Sequence, residues 1–212
     1  KSKSVQELLA LLNAYGEEAR VAGGAVRNVL LGQPVKDVDI ATTALPSEVI
    51  RRSEDAGYRT VPTGIDHGTV TVIIGGEPFE VTTLRADSDH DGRRANVDFG
   101  RDWKVDAERR DFTINGLYAD ADGTIVDLVG GLNDIESRTV RFIGDAEARI
   151  REDYLRVLRF FRFFAWYGHG RPDGDAIRAI VRLKDGVGQL SAERVWSELK
   201  KLLSSADPEW RT

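Results

Sequence analysis

Between Ala19 and Ala41 a short strand, a paired glycine, one helix and a second strand bearing Asp-x-Asp follow one another. Residues two apart on a strand project to the same face, so a strand over Val35–Ala41 offers the carboxylates of Asp37 and Asp39 to one site. Gly23-Gly24 separates the strand Ala19–Ala22 from a helix running through Leu31. A glycine pair there lets backbone N–H groups come close to a phosphate at the positive end of a helix. Arg27 falls in the first turn, within reach of a triphosphate. Taken singly, the glycines read as a turn and the acids as a solvated strand edge. Together they suit Mg²⁺, which takes few protein carboxylates and keeps water and substrate phosphate as its other ligands. Phosphoryl transfer asks for little more than aligned metal and a held triphosphate.

Periodicity sets the wider architecture. An amphipathic helix is expected over Ser4–Tyr15 and another over Pro46–Ala56. Strands are expected at Gly68–Ile74 and Pro78–Leu84, joined by the turn Gly75-Gly76, with a last short strand at Ile125–Asp127. Arg85–Lys104 is polar and reads mostly as loop, and Ala107–Leu117 as a helix. Beyond Ala146 every segment has helical periodicity, interrupted at Gly168–Gly174 and Gly186–Gly188. Strands mixed with helices first and helices alone afterwards predict an α+β domain followed by a helical one, with the boundary at Phe142–Ala146.

Of the 212 residues, 41% are hydrophobic and 31% charged, a globular balance, and no apolar run approaches the ~18 residues of a membrane span. The N-terminal segment lacks a signal-peptide cleavage pattern, and the cytoplasm is the default location. Cysteine is absent, which excludes disulfides and thiolate metal sites. Methionine is absent too and the chain begins at Lys1, which points to missing terminal residues or an engineered sequence. The net charge of −5 weighs against a nucleic-acid partner, but seven arginines against four acids between Arg149 and Arg178 leave room for a local basic face. A solvated helix face is the plainer reading of that run.

Three further groups of residues carry chemistry. Glu80, an acid between apolar neighbours in Phe79-Glu80-Val81, is a candidate third carboxylate or an ordinary edge-strand charge. In Arg109-Arg110-Asp111-Phe112-Thr113-Ile114-Asn115 a helix would place Asp111 and Asn115 one turn apart on one face. Asn115 suits a ribose hydroxyl, and Arg110 a phosphate. In Glu152-Asp153-Tyr154-Leu155-Arg156, continuing to Arg159, the residues Asp153, Arg156 and Arg159 form a polar stripe at every third position. Aspartate accepts from the amino group of cytosine or adenine, and arginine donates to the neighbouring ring nitrogen, a polarity that guanine and uracil invert. A simple intrahelical ion pair would show the same spacing.

The stretches GGAVRNVLLGQPVKDVDIATTALP, HGTVTVI, FEVTTLR, DAERRDFTINGLYAD, DLVGG, REDYLRVLRFFRF and SAERVWSELKKLL occur in this order from about Val21 to Leu203. In this series the chain resembles the class II tRNA nucleotidyltransferase and bacterial poly(A) polymerase family. The resemblance implies a polymerase-β-like nucleotidyltransferase head over 1–142 and an all-helical neck over 143–212. It implies Mg²⁺ ions at Asp37 and Asp39, ribose and triphosphate contacts at Arg110, Asp111 and Asn115, and an amino-acid template for CTP or ATP in Glu152, Asp153 and Arg156. It makes Arg85–Trp103 the loop that helps the switch from C to A addition, and CTP, ATP and a tRNA 3′ end the substrates. Two departures stand out. The family has Asp where Asn28 stands here, which predicts altered rather than lost activity. The family also continues into helical body and tail regions that grip tRNA, whereas this chain stops at Thr212. A poly(A) polymerase of the same family and a non-catalytic RNA- or nucleotide-binding module are the competing readings.

Overall fold

The computed structural model describes residues 3–85 and 98–204, which divide into two compact units. The first holds residues up to Arg109 together with Asn115–Val129, the second Arg110–Ile114 and everything from Gly130 onward.

The first unit is built on a mixed sheet whose strands are β1 (Ala19–Ala22), β2 (Asp39–Thr42), β3 (Arg59–Gly64), β4 (Thr69–Ile74), β5 (Glu77–Thr83), β6 (Leu117–Ala119) and β7 (Ile125–Asp127). Among the described residues these seven lie in the order β3-β4-β5-β2-β1-β6-β7. β2 and β5 run parallel, and the other pairings are antiparallel. Gly75 and Gly76, with φ of 60° and 86°, form the two-residue hairpin between β4 and β5, which needs left-handed backbone at both positions. The helices are α1 (Lys3–Leu12), α2 (Gly24–Leu30), α3 (Pro46–Asp55) and α4 (Trp103–Glu108).

Val5, Leu8, Leu9 and Leu12 recur at helical spacing on α1 and pack with Ile40, Val49, Val70, Val72, Phe79 and Val81. Ala22, Ala41, Leu84, Trp103, Ala107 and Tyr118 form a second cluster. Ile40 and Ala41 fall in different clusters, as alternating strand residues must when both sheet faces are covered.

The second unit holds α5 (Gly131–Glu136), α6 (Ala146–Glu152), α7 (Leu155–Tyr167), α8 (Gly174–Leu183) and α9 (Ala192–Leu203), and in it the buried rings of Phe112, Phe142, Phe160 and Phe163 form one cluster. No described helix is long and apolar enough to cross a membrane.

Three expectations change. The strand bearing Asp-x-Asp begins only at Asp39, so Asp37 lies outside it. The helix expected over Ala107–Leu117 is instead α4, a break, a 3-10 turn at Thr113–Asn115 and β6. Residues 110–114 pack as part of the second unit, where Thr113 N and Ile143 N donate across to Arg141 O and Asp111 O, each at 3.1 Å. These long-range partners outcompete local helix propensity, which is a weak prior. β3 was not anticipated either, because Arg59–Gly64 is an edge strand with exposed residues and a proline.

Glu48, in the first turn of α3, accepts from Arg51 at 2.8 Å and from Arg52 at 2.6 Å. Arg52 is buried and donates to Ala14 O at 2.8 Å, closing the chain after α1. The hydrogen bond from Arg51, then that from Arg52, lowers the Glu48 pKa from 4.5 to about 2. A depressed carboxylate pKa contributes stability that is present above the unfolded value and lost as pH falls through the folded one. The Glu48 contacts are therefore expected to persist at pH 4 and to dissolve only as pH approaches about 2. A carboxyl-resonance titration of Glu48 checks this, and a midpoint near 4.5 would refute it.

Candidate active site

In the first unit the register of the sheet assembles the chemistry. Asp39 opens β2 and pairs with Ala22 of β1 on one side and Glu80 of β5 on the other. Residues paired across adjacent strands share a face, so Glu80 stands on the same face as Asp39. Ala22 leads directly into Gly23-Gly24, which places the glycine turn at the end of the strand beside Asp39. Asp37, Asp39 and Glu80 are all exposed. Among the described residues no three acids or histidines are grouped as a ready-made metal site. A pair of accessible carboxylates two residues apart still fits Mg²⁺, which draws its remaining ligands from water and phosphate.

Gly23 has φ 62° and ψ −117°, a conformation open to glycine and strained for any L side chain. Its N–H donates to Leu117 O at 2.8 Å, and its carbonyl accepts from Arg27 N at 3.0 Å. The Gly23 N–H is thus committed to β6, and Gly23 turns the chain into α2. Gly24 opens α2 with ordinary space around a notional Cβ.

Arg27 is buried rather than directed outward. Its guanidinium donates to Asn28 Oδ1 from Nε at 3.1 Å and from Nη2 at 2.8 Å, and its Nη1 reaches Asn115 Oδ1. Arg27 and Asn115, far apart in sequence, are therefore brought together. Asn28 also donates from Nδ2 to Pro34 O at 2.9 Å, tying α2 to the segment that leads into Asp37. An ionised aspartate at this position could not make that donation. Asn28 is a structural participant that the sequence marked only as a departure.

Asp106 went unnoticed as well. It is buried, accepts from Arg109 Nε at 2.8 Å and receives the Tyr118 hydroxyl at 2.7 Å. The three-residue spacing to Arg109 was the available signal.

In the second unit Asp111 and Arg159 meet. Asp111 Oδ2 accepts from Arg159 Nε at 2.7 Å, and Oδ1 accepts from Phe112 N at 2.9 Å. Arg110 is half-buried with its Nε enclosed. The expected α-helix that would set Asp111 and Asn115 one turn apart is absent, because the chain is irregular at 110–112 and forms only a 3-10 turn at Thr113–Asn115.

The polar stripe Asp153-Arg156-Arg159 is also revised. Asp153 lies between helices with extended backbone (φ −156°), and α7 starts at Leu155, so the three residues do not share a helix. The cause is local: Asp153 Oδ1 accepts from Leu155 N and its carbonyl accepts from Arg156 N, both at 3.0 Å, a turn that competes with helix continuation. Arg156 donates instead to Glu152 Oε2 at 2.5 Å and Arg149 O at 2.8 Å, and Asp153 Oδ2 accepts from Arg194 at 2.8 Å.

The basic run from Arg149 is largely neutralised. Glu152 takes Arg149 and Arg156, while Glu147, Asp111, Glu198 and Asp175 take Arg151, Arg159, Arg162 and Arg178. Hydrogen bonds from Arg182 and then Arg151 lower the Glu147 pKa. A cleft of about 260 Å³ in this unit is lined by Arg141, Asp145, Glu147, Asp173, Arg178 and Arg182 among others, and none of the predicted site residues lines it.

A mixed sheet that sets an Asp-x-Asp beside a glycine turn, with helices alone following, defines a nucleotidyltransferase head of the polymerase-β type. The solved structures bear this out. The Bacillus stearothermophilus CCA-adding enzyme in complex with CTP superposes with a TM-score of 0.85 at 39% identity, over 95% of this chain and 48% of that one. The Thermotoga maritima CCA-adding enzyme complexed with tRNA gives a TM-score of 0.79 at 21% identity, over 98% of this chain and 49% of that one, a likeness of fold. Residues 19–141 match the poly A polymerase head domain, and the chain belongs to that family. The mitochondrial CCA tRNA nucleotidyltransferase 1 of Mus musculus is 47% identical over 208 residues, 95% of this chain and 46% of the mouse protein. The CCA-adding enzyme of Geobacillus thermodenitrificans is 43% identical over 93% of this chain and 48% of its own length. The chain spans about half the length of these relatives.

Proposed function

We propose that this chain carries the catalytic head (1–142) and nucleotide-selecting neck (143–212) of an enzyme that transfers CMP and AMP from CTP and ATP to an RNA 3′-hydroxyl, completing CCA at tRNA 3′ ends. The observation that carries the proposal is the register of Asp39 between Ala22, which leads into Gly23-Gly24, and Glu80. Asp37 and Asp39 would hold Mg²⁺, which supplies Lewis-acid stabilisation of the phosphates when bound. The RNA 3′-oxygen attacks the α-phosphate in line, pyrophosphate leaves, and no covalent enzyme intermediate is required. Gly23, Gly24 and Arg27, at the turn beside Asp39, serve to bind the nucleotide. Arg110, Asp111 and Asn115 serve ribose and triphosphate, and Glu152, Asp153, Arg156 and Arg159 the nucleotide. The names of the mouse and Geobacillus relatives favour CCA addition over poly(A) synthesis. Of Arg85–Trp103, assigned to the switch from C to A, residues 86–97 lie outside the described residues. The cytoplasm is the proposed compartment, although the mouse relative is by name mitochondrial, and cell fractionation decides it.

Labelled CTP and ATP, supplied separately with a tRNA lacking its CCA end, test the proposal. Incorporation of both at the appropriate step supports it. Long tracts of A on unrelated RNAs would indicate a poly(A) polymerase, and binding without incorporation a non-catalytic module.

Arg156→Ala is expected to depress CTP and ATP incorporation together and to raise the relative misincorporation of UTP and GTP about tenfold. A base-edge contact of this type discriminates by roughly 1–3 kcal/mol in protein–DNA complexes. Competition among all four triphosphates checks the prediction. If the ratios stay unchanged while the melting temperature drops, Arg156 merely supports the helix junction through Glu152.

A further inference from the structure

We propose that the face of β3, β4 and β5 beside Glu80 carries the RNA strand that ends in the attacking 3′-hydroxyl, and that paired threonine hydroxyls on it recognise that strand's 2′-hydroxyls. This placement rests on the transfer reaction proposed above and adds where the acceptor lies.

One face of these strands is closed and the other open. Val70 and Val72 of β4 and Phe79 and Val81 of β5 pack into the core with the leucines of α1. Strand residues alternate in direction, so Thr69, Thr71, Glu80 and Thr82 stand on the opposite side. The register carries that side straight on from the carboxylates. Asp39 pairs with Glu80, Glu80 with Thr71, and Thr71 with Val61, across four neighbouring strands. Beside this row run Ala41, Thr82, Thr69 and Gly64. Val61, Thr63 and Glu80 are exposed and Thr69 and Thr82 half-buried, so the face is accessible.

Reaction geometry selects the occupant. An in-line displacement sets the attacking oxygen and the leaving pyrophosphate on opposite sides of the α-phosphate. The strands run β3-β4-β5-β2-β1 across the sheet, with Glu80 on β5, Asp39 on β2 and the glycine turn following β1. A triphosphate held at Gly23, Gly24 and Arg27 directs its leaving group toward β1. The 3′-oxygen then arrives from the side of β5, and the strand behind it lies over β5, β4 and β3.

The side chains there suit a ribose backbone. Thr63 Oγ1 and Thr71 Oγ1 are 2.8 Å apart, and Thr69 Oγ1 and Thr82 Oγ1 3.0 Å. A register shift in β3 between Val61 and Gly64 brackets Thr63, an irregularity of the kind that re-aims a strand side chain. Within each pair one hydroxyl donates and the other accepts, which leaves a hydrogen and lone pairs for a third group. A 2′-hydroxyl both donates and accepts, and it is what separates RNA from DNA. Arg59, exposed and paired with Ile73 on the same side, adds a cation for a phosphate.

Two RNAs test this: a tRNA lacking its CCA end, and the same molecule with 2′-deoxyribose in its terminal nucleotides and the 3′-hydroxyl kept. CTP incorporation and fluorescence-anisotropy binding are measured with both, on the parent chain, on Thr63→Val with Thr82→Val, and on Thr63→Ser with Thr82→Ser. The parent should favour the all-ribose RNA by about tenfold in kcat/KM and in affinity, within reach of one or two hydrogen bonds. The valine variant keeps the side-chain shape and lacks two hydroxyls, so its preference should fall to about threefold or less while the KM for CTP stays unchanged. The serine variant should retain the parent's preference. Equal use of the two RNAs by the parent, or an unchanged preference in the valine variant, overturns the inference while CCA addition stands. A preference lost in the serine variant as well assigns the threonines to packing and overturns it too. If the parent adds nothing to the all-ribose RNA, the proposed function falls, and the acceptor track with it.

Discussion

Asp39→Ala is expected to lower nucleotide incorporation by at least about a hundredfold and to leave the melting temperature near that of the parent chain. The two halves of this expectation have separate grounds. Asp39 is exposed at the first position of β2, so alanine there empties no core. Its register partners Ala22 and Glu80 remain paired through the backbone. A metal that stabilises transferring phosphates is worth several kcal/mol, and each ~1.4 kcal/mol corresponds to tenfold in rate. Initial rates of labelled CTP incorporation into tRNA lacking CCA, in Mg²⁺, measure the loss. Retention of more than a few per cent of the parent rate would sink the metal assignment. Glu80→Ala provides a graded comparison, because Glu80 shares the face of Asp39 without belonging to the Asp-x-Asp pair.

Phe112→Ala should destabilise the second unit by about 3–5 kcal/mol, the usual cost of removing a fully buried phenyl ring. Phe112 is wholly buried, with ring centroids 4.9 Å from Phe142, 5.1 Å from Phe163 and 6.2 Å from Phe160. It also bridges in antiparallel fashion to Phe142, so the same residue anchors the backbone of 110–114. Asp111, next to it, receives Arg159 and takes a backbone bond from Phe112 N. Emptying the ring site therefore loosens the placement of a proposed nucleotide contact as well as the core. Urea denaturation followed by a probe in the helical unit reads the effect. A loss below about 1 kcal/mol would mean that the neighbouring rings collapse into the space, and that they do not form the close-packed centre described above. Phe112→Leu, which keeps much of the volume, should retain more of the stability.

The elements read most accurately from the sequence are those whose signals are local. Ala19–Ala22 and Ile125–Asp127 carry strand residues bounded by turns, and the structure places strands over the same residues. The hairpin at Gly75-Gly76 follows from backbone that only glycine adopts at no cost. The apolar stripe of α1 faces a core as its spacing requires. Where the reading failed, the deciding partner was distant in sequence. Arg110–Ile114 looks helical on its own, yet Phe112 is drawn into a cluster with Phe142, Phe160 and Phe163, and the helix breaks around it.

For the candidate site the division is similar. Residue types and spacings brought forward Asp37, Asp39, Glu80, the glycine pair, Arg27, Asn115, Asp111 and the Glu152–Arg159 segment. A one-dimensional pattern names groups capable of the chemistry, because hard oxygen donors and hydrogen-bonding side chains are properties of the residues themselves. It does not tell which groups meet. Strand register paired Asp39 with Glu80, packing turned Arg27 inward onto Asn28 and Asn115, and α9 supplied Arg194 to Asp153. Asp153 and Arg156, three apart in sequence, were instead separated by a turn whose hydrogen bonds to Leu155 N and Arg156 N interrupt the helix. By itself, the sequence determined the class of chemistry and the strongly periodic elements, since both depend on side chains and their immediate neighbours. Only the tertiary structure decided partners, orientation and burial, since these depend on contacts between segments that the order of residues does not bring together.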